Sequence, residues 1–243
     1  FKRQFSVTPE MTDEEQRMSV LSIATAMQDL AGDQLIDLGI GFDVTSAQDL
    51  LWVVVWSEFV FTQFPKVSEK LTLYTWPGKK MHWIYPRRAY LFDESGKEVA
   101  HAAYLWMLMD AKTRKQTEDN GVLGVLPHAA VDGECKIPPM RIPFPDSYSE
   151  SFSRSVRPEE IDENGHVNNS HYLNWAVEAA KCAGMDPHRL QKIWINYKKE
   201  ILPEETVTLS CERVEDALYI TGAGAEEKFD VKMIFDLTTE GSV

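Results

Sequence analysis

The stretch that decides the fold is N-N-S-H-Y-L-N-W-A-V-E-A-A, residues 168–180. Its apolar residues recur at the spacing of one helix face: Leu173, Ala176, Val177 and Ala180. Asn168 or Asn169 can cap the first turn, and Gly184 followed by Pro187 ends the pattern. The segment predicts a single amphipathic helix over 169–183, with alanines small enough for strands to approach it closely.

Strands surround this helix on both sides in the sequence. A strand is predicted before it, over 151–157, and further strands after it, over 191–199, 206–212, 217–221 and 228–237. The last of these alternates apolar and polar residues, as expected of a strand with one buried face. One long helix with several antiparallel strands is an α+β architecture in which the sheet covers the helix.

The first half of the chain repeats this order of elements. Thr12 and Glu15 match a capping box, which predicts a helix over 17–38 with an apolar stripe. Strands are predicted over 51–62, 71–76, 88–93 and 99–110. Five of the twelve prolines then fall in 121–150, where no periodicity is visible. We therefore expect two similar units, 1–120 and 151–243, joined by a proline-rich crossover over 121–150.

A dense polar run, I-D-E-N-G-H-V-N-N at 161–169, precedes the second helix. Turn and cap preferences of Asn and Asp explain one or two of these residues. An extended backbone would place Asp162, Asn164 and His166 on one side, because side chains alternate along a strand. Carboxylate, amide and imidazole together can orient a base, transfer a proton and stabilise an oxyanion. Glu200, after the 191–199 strand, is either a further catalytic carboxylate or a surface acid.

Composition and charge narrow the classes of function. Apolar residues make up 44% and charged residues 26%, and no apolar run approaches the roughly 18 residues of a membrane span. A net charge of −13 argues against nonspecific binding to nucleic acid or to an anionic membrane. Three widely spaced cysteines form neither a disulfide framework nor a metal cluster. His171 lacks a third ligand at suitable spacing, so we expect no metal and no cofactor. The cysteines, with no export leader in the sequence, favour the cytoplasm.

Four separated stretches resemble the acyl-[acyl-carrier-protein] thioesterase family. In chain order they are Y-T-W-P-G-K at 74–79, Y-L-W-M-L-M-D-A-K-T-R-K at 104–115, I-D-E-N-G-H-V-N-N-S-H-Y-L-N-W at 161–175 and I-N-Y-K-K-E at 195–200. The resemblance spans about residues 1–237. It implies two tandem hotdog units, each a curled antiparallel sheet wrapped around one long helix. It also implies hydrolysis of fatty acyl-carrier protein to free fatty acid, in a protein of the bacterial type.

The resemblance marks Asp162, Asn164, His166 and Glu200 as the catalytic set. Plant members often carry a cysteine directly after the glutamate, where this chain has Ile201. A cysteine-based mechanism is therefore not available at that position. Glu200 would act on the thioester either as a general base toward water or as a nucleophile, and the sequence leaves both roles open.

The implied partner is an acyl carrier protein, with no nucleic acid and no membrane. Carrier proteins are acidic, so a chain of net charge −13 needs a basic rim to bind one, and we assign that role to Lys198 and Lys199. The catalytic residues fall in the second unit, which leaves the first to hold the acyl tail on Ile23, Met27 and Leu30.

Several alternatives stay open at the level of sequence. Single-hotdog acyl-coenzyme A thioesterases carry a similar D-x-x-G-H-V-N-N-x-x-Y-L run. A non-catalytic acyl-binding module and a hotdog hydratase are further alternatives. The oligomeric state is also open, and a homodimer is compatible with the sequence.

Overall fold

A computed structural model of the protein describes residues 1–118, 121, 123, 124, 126, 142–162 and 164–238. The chain divides into two compact units, Phe1–Ser57 with Phe64–Pro138, and Glu58–Gln63 with Pro139–Val243. Much of the predicted crossover over 121–150 lies outside the described residues, and the boundaries at 120 and 151 stay a prediction. No helix in the described ranges is long and apolar enough to cross a membrane.

The first unit is built on one antiparallel sheet and one long helix. In chain order its elements are β1 (Lys2–Ser6), α1 (Val20–Asp37), the short α2 (Phe42–Ser46), β2 (Leu50–Phe61), β3 (Lys70–Pro77), β4 (Tyr85–Asp93) and β5 (Glu98–Asp110). The last residues of β2, from Glu58 onward, belong to the second unit. The strands lie in the order β1-β3-β4-β5-β2. Each of the pairs β1–β3, β3–β4 and β4–β5 is antiparallel.

The second unit repeats this topology. Its elements are β6 (Glu150–Ser155), α3 (Asn169–Cys182), β7 (Leu190–Tyr197), β8 (Thr206–Val214), β9 (Ala217–Ala223) and β10 (Glu227–Phe235). The strands lie in the order β7-β10-β9-β8-β6. In both units the strand before the helix is at one end and the strand after it at the other, with the last three strands between. The predicted repeat of element order is confirmed.

Each helix buries its predicted apolar stripe. On α1 the side chains of Ile23, Met27 and Leu30 are fully buried, and on α3 Leu173 and Ala176 are. Burying a leucine, isoleucine or methionine side chain contributes about 1.5–3 kcal/mol, so the stripes hold the helices in place. The alternation predicted for β10 is also present, because its inward side chains are buried: Phe229, Val231, Met233 and Phe235.

The start of α1 differs from the prediction. The helix begins at Val20, and its cap is Ser19, whose hydroxyl accepts a hydrogen bond from the Ser22 N–H at 3.1 Å. The predicted capping box at Thr12 is wrong, because Thr12 pairs with Met18 in an antiparallel bridge. The residues between them form a short closed loop ahead of the helix.

Within the 12–18 loop, Asp13 forms hydrogen bonds with the backbone groups of its neighbours. The Asp13 N–H donates to the Arg17 carbonyl at 2.9 Å, and the Gln16 N–H donates to the Asp13 carbonyl at 3.0 Å. The Asp13 carboxylate accepts from the Glu15 N–H at 3.0 Å. Short polar side chains compete with helical hydrogen bonding in this way, which explains why the capping signal was misleading.

Candidate active site

The polar run is closed into a loop by its residues 161 and 167 and is not the extended segment that we expect. Ile161 and Val167 pair in an antiparallel bridge, and the Asp162 N–H donates to the His166 carbonyl at 2.9 Å. The Gly165 N–H donates to the Asp162 carbonyl at 3.0 Å. Gly165 has a φ of +81°, a conformation that glycine adopts without steric cost. Asp162 and His166 therefore face each other because of this turn, and not because side chains alternate along a strand.

A buried carboxylate anchors the base of this loop. Glu160 accepts hydrogen bonds from the Trp175 indole N–H and the Arg157 N–H, each at 2.9 Å, and from the Arg154 guanidinium. Burial alone would raise the pKa of Glu160, but these hydrogen bonds outweigh it and hold the pKa below the ordinary value. The Glu160 carbonyl also accepts from the Asn168 N–H at 2.8 Å. The loop is thus fixed to β6 on one side and to α3 on the other.

Asn168 caps α3, as predicted. Its side-chain oxygen accepts from the Ser170 N–H at 2.9 Å, and its carbonyl accepts from the His171 N–H at 2.9 Å. N–H groups in the first turn of a helix can bind an anion. Two N–H groups of this turn, those of Ser170 and His171, are already engaged by the cap.

Three of the four predicted catalytic side chains lie together. His166 Nδ1 is 3.6 Å from Asp162 Oδ2, and His166 Nε2 is 3.9 Å from Glu200 Oε2. Asp162 Oδ1 accepts from the Asn164 N–H at 2.8 Å, so Asn164 enters the cluster through its main chain. Glu200 is the most accessible of the three acid and imidazole groups, with 38% of its side chain exposed. The result is an imidazole placed between two carboxylates, of which Glu200 is partly exposed to solvent.

A β-bulge directs Glu200 toward the loop. Strand β7 ends at Tyr197, and the N–H groups of Lys198 and Lys199 both donate to the Lys228 carbonyl, at 2.9 and 3.1 Å. Two residues that face one residue of the partner strand form a bulge, which bends the strand and redirects the residues after it. The side-chain alternation of β7 therefore does not extend to Glu200. The next residue, Ile201, accepts from the Val167 N–H at 2.9 Å and ties the two segments together.

The lysines beside Glu200 are themselves paired with acids. Lys198 Nζ lies 2.7 Å from both Glu227 Oε2 and Asp230 Oδ2. Burial would lower the pKa of Lys198, but the hydrogen bonds to Asp230 and Glu227 raise it above the ordinary value. Lys199 Nζ is 3.7 Å from Glu226 Oε2, and both of these side chains are exposed. The surface beside Glu200 therefore carries both charges and is not the purely basic rim that we expected.

His171 does not join the cluster as a metal ligand. Within the described ranges, no group of three or more His, Cys, Asp and Glu side chains is arranged to hold a metal ion. Burial lowers the pKa of His171, which favours the neutral imidazole on α3.

Two family models together match most of the chain. The model of the acyl-ACP thioesterase N-terminal domain matches residues 1–119, and the model of the C-terminal domain matches residues 145–241. The chain belongs to the acyl-ACP thioesterase family. The second match contains the 161–167 loop, α3 and Glu200, so the cluster lies in the C-terminal domain of this thioesterase-family chain.

Curated relatives of this family member are plant enzymes of low identity. An acyl-[acyl-carrier-protein] hydrolase of Cuphea viscosissima is 24% identical over 216 residues, covering 82% of this chain and 52% of the relative. A palmitoyl-acyl carrier protein thioesterase of Gossypium hirsutum is 22% identical over 247 residues, covering 90% of this chain and 57% of the relative. Both relatives are chloroplastic. The chain thus spans about half the length of the curated relatives it matches.

Solved structures confirm the fold of this thioesterase-family chain. An acyl-ACP thioesterase from Bacteroides thetaiotaomicron superposes with a TM-score of 0.82 at 21% identity, covering 97% of each chain. The 12:0-ACP thioesterase from Umbellularia californica superposes with a TM-score of 0.84 at 17% identity, covering 97% of this chain and 96% of that one. The predicted α+β class with two tandem hotdog units is therefore correct.

Proposed function

We propose that this protein hydrolyses fatty acyl-[acyl-carrier-protein] to a free fatty acid and the carrier protein. The observation that carries the proposal is the placement of His166 between Asp162 and Glu200, 3.6 and 3.9 Å away, in a member of this family. Curated relatives named as a palmitoyl-acyl carrier protein thioesterase and a dodecanoyl-[acyl-carrier-protein] hydrolase support the choice of substrate. Asp162, Asn164, His166 and Glu200 are the residues to which we assign the chemistry.

The spacing between His166 and Glu200 suits a shared water molecule. Their facing atoms are 3.9 Å apart, which is too long for a direct hydrogen bond. One water about 2.8 Å from each can bond to both, with an angle of roughly 90° at the oxygen. Asp162 faces Nδ1 of the same ring, so it orients the imidazole and stabilises positive charge on it.

The reaction then proceeds in two steps. Glu200 takes a proton from the water, and the hydroxide oxygen bonds to the thioester carbonyl carbon, which places negative charge on the carbonyl oxygen. The side-chain amide of Asn164 is the donor that we assign to this oxyanion. Collapse of the intermediate breaks the carbon–sulfur bond, and the thiolate leaves and takes up the proton held by Glu200. A thiolate is a good leaving group, so placement of the water and of the oxyanion donor is the main requirement.

The central experiment measures thiol release. We expect the protein to release the carrier thiol from a fatty acyl-carrier protein faster than coenzyme A from the matching acyl-coenzyme A. A clear preference for the coenzyme A substrate would assign the chain to acyl-coenzyme A hydrolysis. Binding of acyl-carrier protein without thiol release would make it an acyl-binding module.

Matched variants test the assigned residues. Glu200→Gln and Asp162→Asn should each lower kcat by at least 10²- to 10³-fold, as is usual for the loss of a preorganised charged group. The control is Glu204→Gln, which changes an exposed acid four residues away and should leave kcat unchanged. A folded Glu200→Gln protein with the wild-type rate would remove Glu200 from the mechanism.

A quench experiment separates the two roles of Glu200. A general base leaves the enzyme unmodified throughout turnover, whereas a nucleophile passes through an acyl-enzyme anhydride. We expect mass spectrometry after rapid acid quench to find no acyl adduct on the peptide that contains Glu200. An adduct of acyl mass on that residue would replace the base with a nucleophile.

Lys198 and Lys199 are our proposed contacts for the carrier protein. Reversing both to Glu should raise KM for acyl-carrier protein severalfold and change KM for a short thioester mimic little. Salt should weaken the effect, because exposed charges are screened beyond about 8–10 Å at physiological ionic strength. Lys198 is already held by two acids, so most of the effect should come from Lys199→Glu alone. Equal losses on both substrates would show that the lysines support the site and not the partner.

The cytoplasmic location and the homodimer also stay proposals. Cell fractionation tests the first and sedimentation equilibrium tests the second.

A further inference from the structure

A buried lysine lies directly behind the proposed base. Lys228, in β10, is 4% exposed. Lysine is almost never fully buried without a partner, because removing an ammonium group from water is costly. Its Nζ donates to the Glu200 carbonyl at 3.1 Å and to Glu205 Oε1 at 2.7 Å. The charge is thus placed where it contacts the segment that carries Glu200.

The main chain of Lys228 holds the same segment. Its carbonyl is the acceptor for the two N–H groups, of Lys198 and Lys199, that form the bulge. Lys228 therefore makes two kinds of hydrogen bond to this segment. Its carbonyl accepts from the two N–H groups before Glu200, and its ammonium group donates to the Glu200 carbonyl. Removal of the side chain would leave the bulge in place but remove the hydrogen bond to the Glu200 carbonyl.

Glu205 extends this hold to the far end of the segment. Its carboxylate accepts from the Leu202 N–H at 3.1 Å as well as from Lys228. Burial opposes ionisation of Glu205, but the hydrogen bond from Lys228 leads the contacts that keep its pKa below the ordinary value. An ionised Glu205 and the Lys228 ammonium thus form a charge-assisted bond across the 200–205 turn, which is stronger than a neutral one.

Segment 198–205 has no regular secondary structure, so its conformation depends on contacts of this kind. A methionine would fill the space of the lysine stem at less cost, but it would give the Glu200 carbonyl no donor. We propose that Lys228 is a positioning residue, which fixes the main chain at Glu200 and through it the separation between the Glu200 carboxylate and His166. This inference rests on the proposed function, in which Glu200 is the catalytic base.

The test compares Lys228→Met with a matched control on the same strand. A displacement of about 1 Å at a reacting group can cost about 100-fold in rate. We expect Lys228→Met to lower kcat by about 10- to 100-fold, with KM for a short thioester mimic within about twofold of wild type. Lys228→Arg can donate to both acceptors and should recover most of kcat. Lys232→Met, whose ammonium lies over the rings of Trp194 and Tyr219, should leave kcat unchanged.

A double-mutant cycle separates positioning from general stability. If Lys228 acts through Glu200, Lys228→Met should cause no further loss of kcat in the Glu200→Gln background. A residue that only stabilises the fold would give the same fractional loss in both backgrounds. Additive losses, or an unchanged kcat in a folded Lys228→Met protein, would overturn the proposal.

Partial variants keep the test decisive if Lys228→Met does not fold. Glu205→Gln alters the partly exposed partner, and we expect a severalfold loss of kcat that again vanishes in the Glu200→Gln background. An unchanged kcat in Glu205→Gln would then count against the positioning role of Lys228. A wild-type rate in Glu200→Gln would overturn the assigned base and this inference together. A normal rate in Lys228→Met, with an inactive Glu200→Gln, would overturn only the inference.

Discussion

Replacement of Glu160 by Gln should destabilise the second unit severely. The Glu160 side chain is 3% exposed and accepts from Arg154, the Arg157 N–H and the Trp175 indole. Gln has one acceptor oxygen and directs an amide N–H₂ toward the remaining donor. At least one hydrogen bond to a charged acceptor is lost, at about 1.5–3 kcal/mol. Arg154 also loses its buried anionic partner, and breaking such a pair costs about 3–5 kcal/mol in total.

The control lies at the other end of the same guanidinium. Glu178 also pairs with Arg154, but its side chain is 37% exposed. An exposed ion pair contributes about 0–1 kcal/mol, so Glu178→Gln should cost far less than Glu160→Gln. The two variants remove one charge each from one arginine and differ chiefly in burial.

Urea denaturation of wild type and the two variants at pH 7 measures these costs. For a chain of this size, a loss of 1 kcal/mol in the free energy of unfolding lowers Tm by about 2–4 °C. Glu160→Gln should therefore also lower Tm by about 10 °C. The folded-state pKa of Glu160 is depressed, so its stabilisation is complete above the unfolded value near 4.3 and is lost as pH falls through the folded value. The gap between wild type and Glu160→Gln should therefore shrink in acid. A cost below about 1 kcal/mol, or equal costs for both variants, would refute the reasoning.

Three further predictions concern the cysteines, a glycine and the acyl tail. Iodoacetamide at pH 8 should label Cys182 and spare Cys211, because burial raises the pKa of Cys211 to about 12, and activity should survive; peptide mass mapping that finds equal labelling contradicts this. Gly222→Ala should lower the free energy of unfolding in urea by about 1–3 kcal/mol, because the added Cβ would lie 2.1 Å from the Phe229 ring on β10. Gly224→Ala, where the nearest atom is 3.5 Å away, should cost much less, and equal costs would exclude the clash. Met27→Trp should shift hydrolysis toward shorter acyl chains, since each buried methylene contributes about 0.8 kcal/mol; an unchanged profile in a folded variant would make Met27 ordinary core.

Periodicity predicted most elements because burial imposes it. The strand expected over 51–62 is found at Leu50–Phe61, and the helix expected over 169–183 at Asn169–Cys182. Strand β1 (Lys2–Ser6) gave no such signal, since four of its five residues are exposed. Its position is set by backbone pairing with β3, which leaves no mark on side-chain type.

The candidate site was predictable in composition but not in geometry. Local density identified Asp162, Asn164 and His166, and the resemblance added Glu200. Their contacts depend on the turn at Gly165, which local hydrogen bonds and a positive φ close, and on the bulge before Glu200, which the distant Lys228 carbonyl sets. Lys228 was missed because the pattern of β10 assigned its side chain to the face opposite the apolar one, where lysine is ordinary.

The loop over 12–18 has the same backbone plan as the one over 161–167. In each, an aspartate comes directly after the first bridging residue and accepts from the N–H two residues later, at 3.0 Å for Asp13 and 2.8 Å for Asp162. In each, the last bridging residue donates to a carbonyl beyond the next strand: Met18 to Pro65, and Val167 to Ile201. A polar side chain then caps the next helix.

By this correspondence Arg17 occupies the place of His166, and Phe64 the place of Glu200. An arginine stays protonated and cannot exchange a proton with water at neutral pH, and a phenyl ring cannot accept one. The loop over 12–18 therefore lacks both proton-transfer groups of the loop over 161–167. Under the proposed function each chain therefore carries one catalytic set, and a tight-binding thioester analogue should saturate at one equivalent per chain although the backbone plan occurs twice.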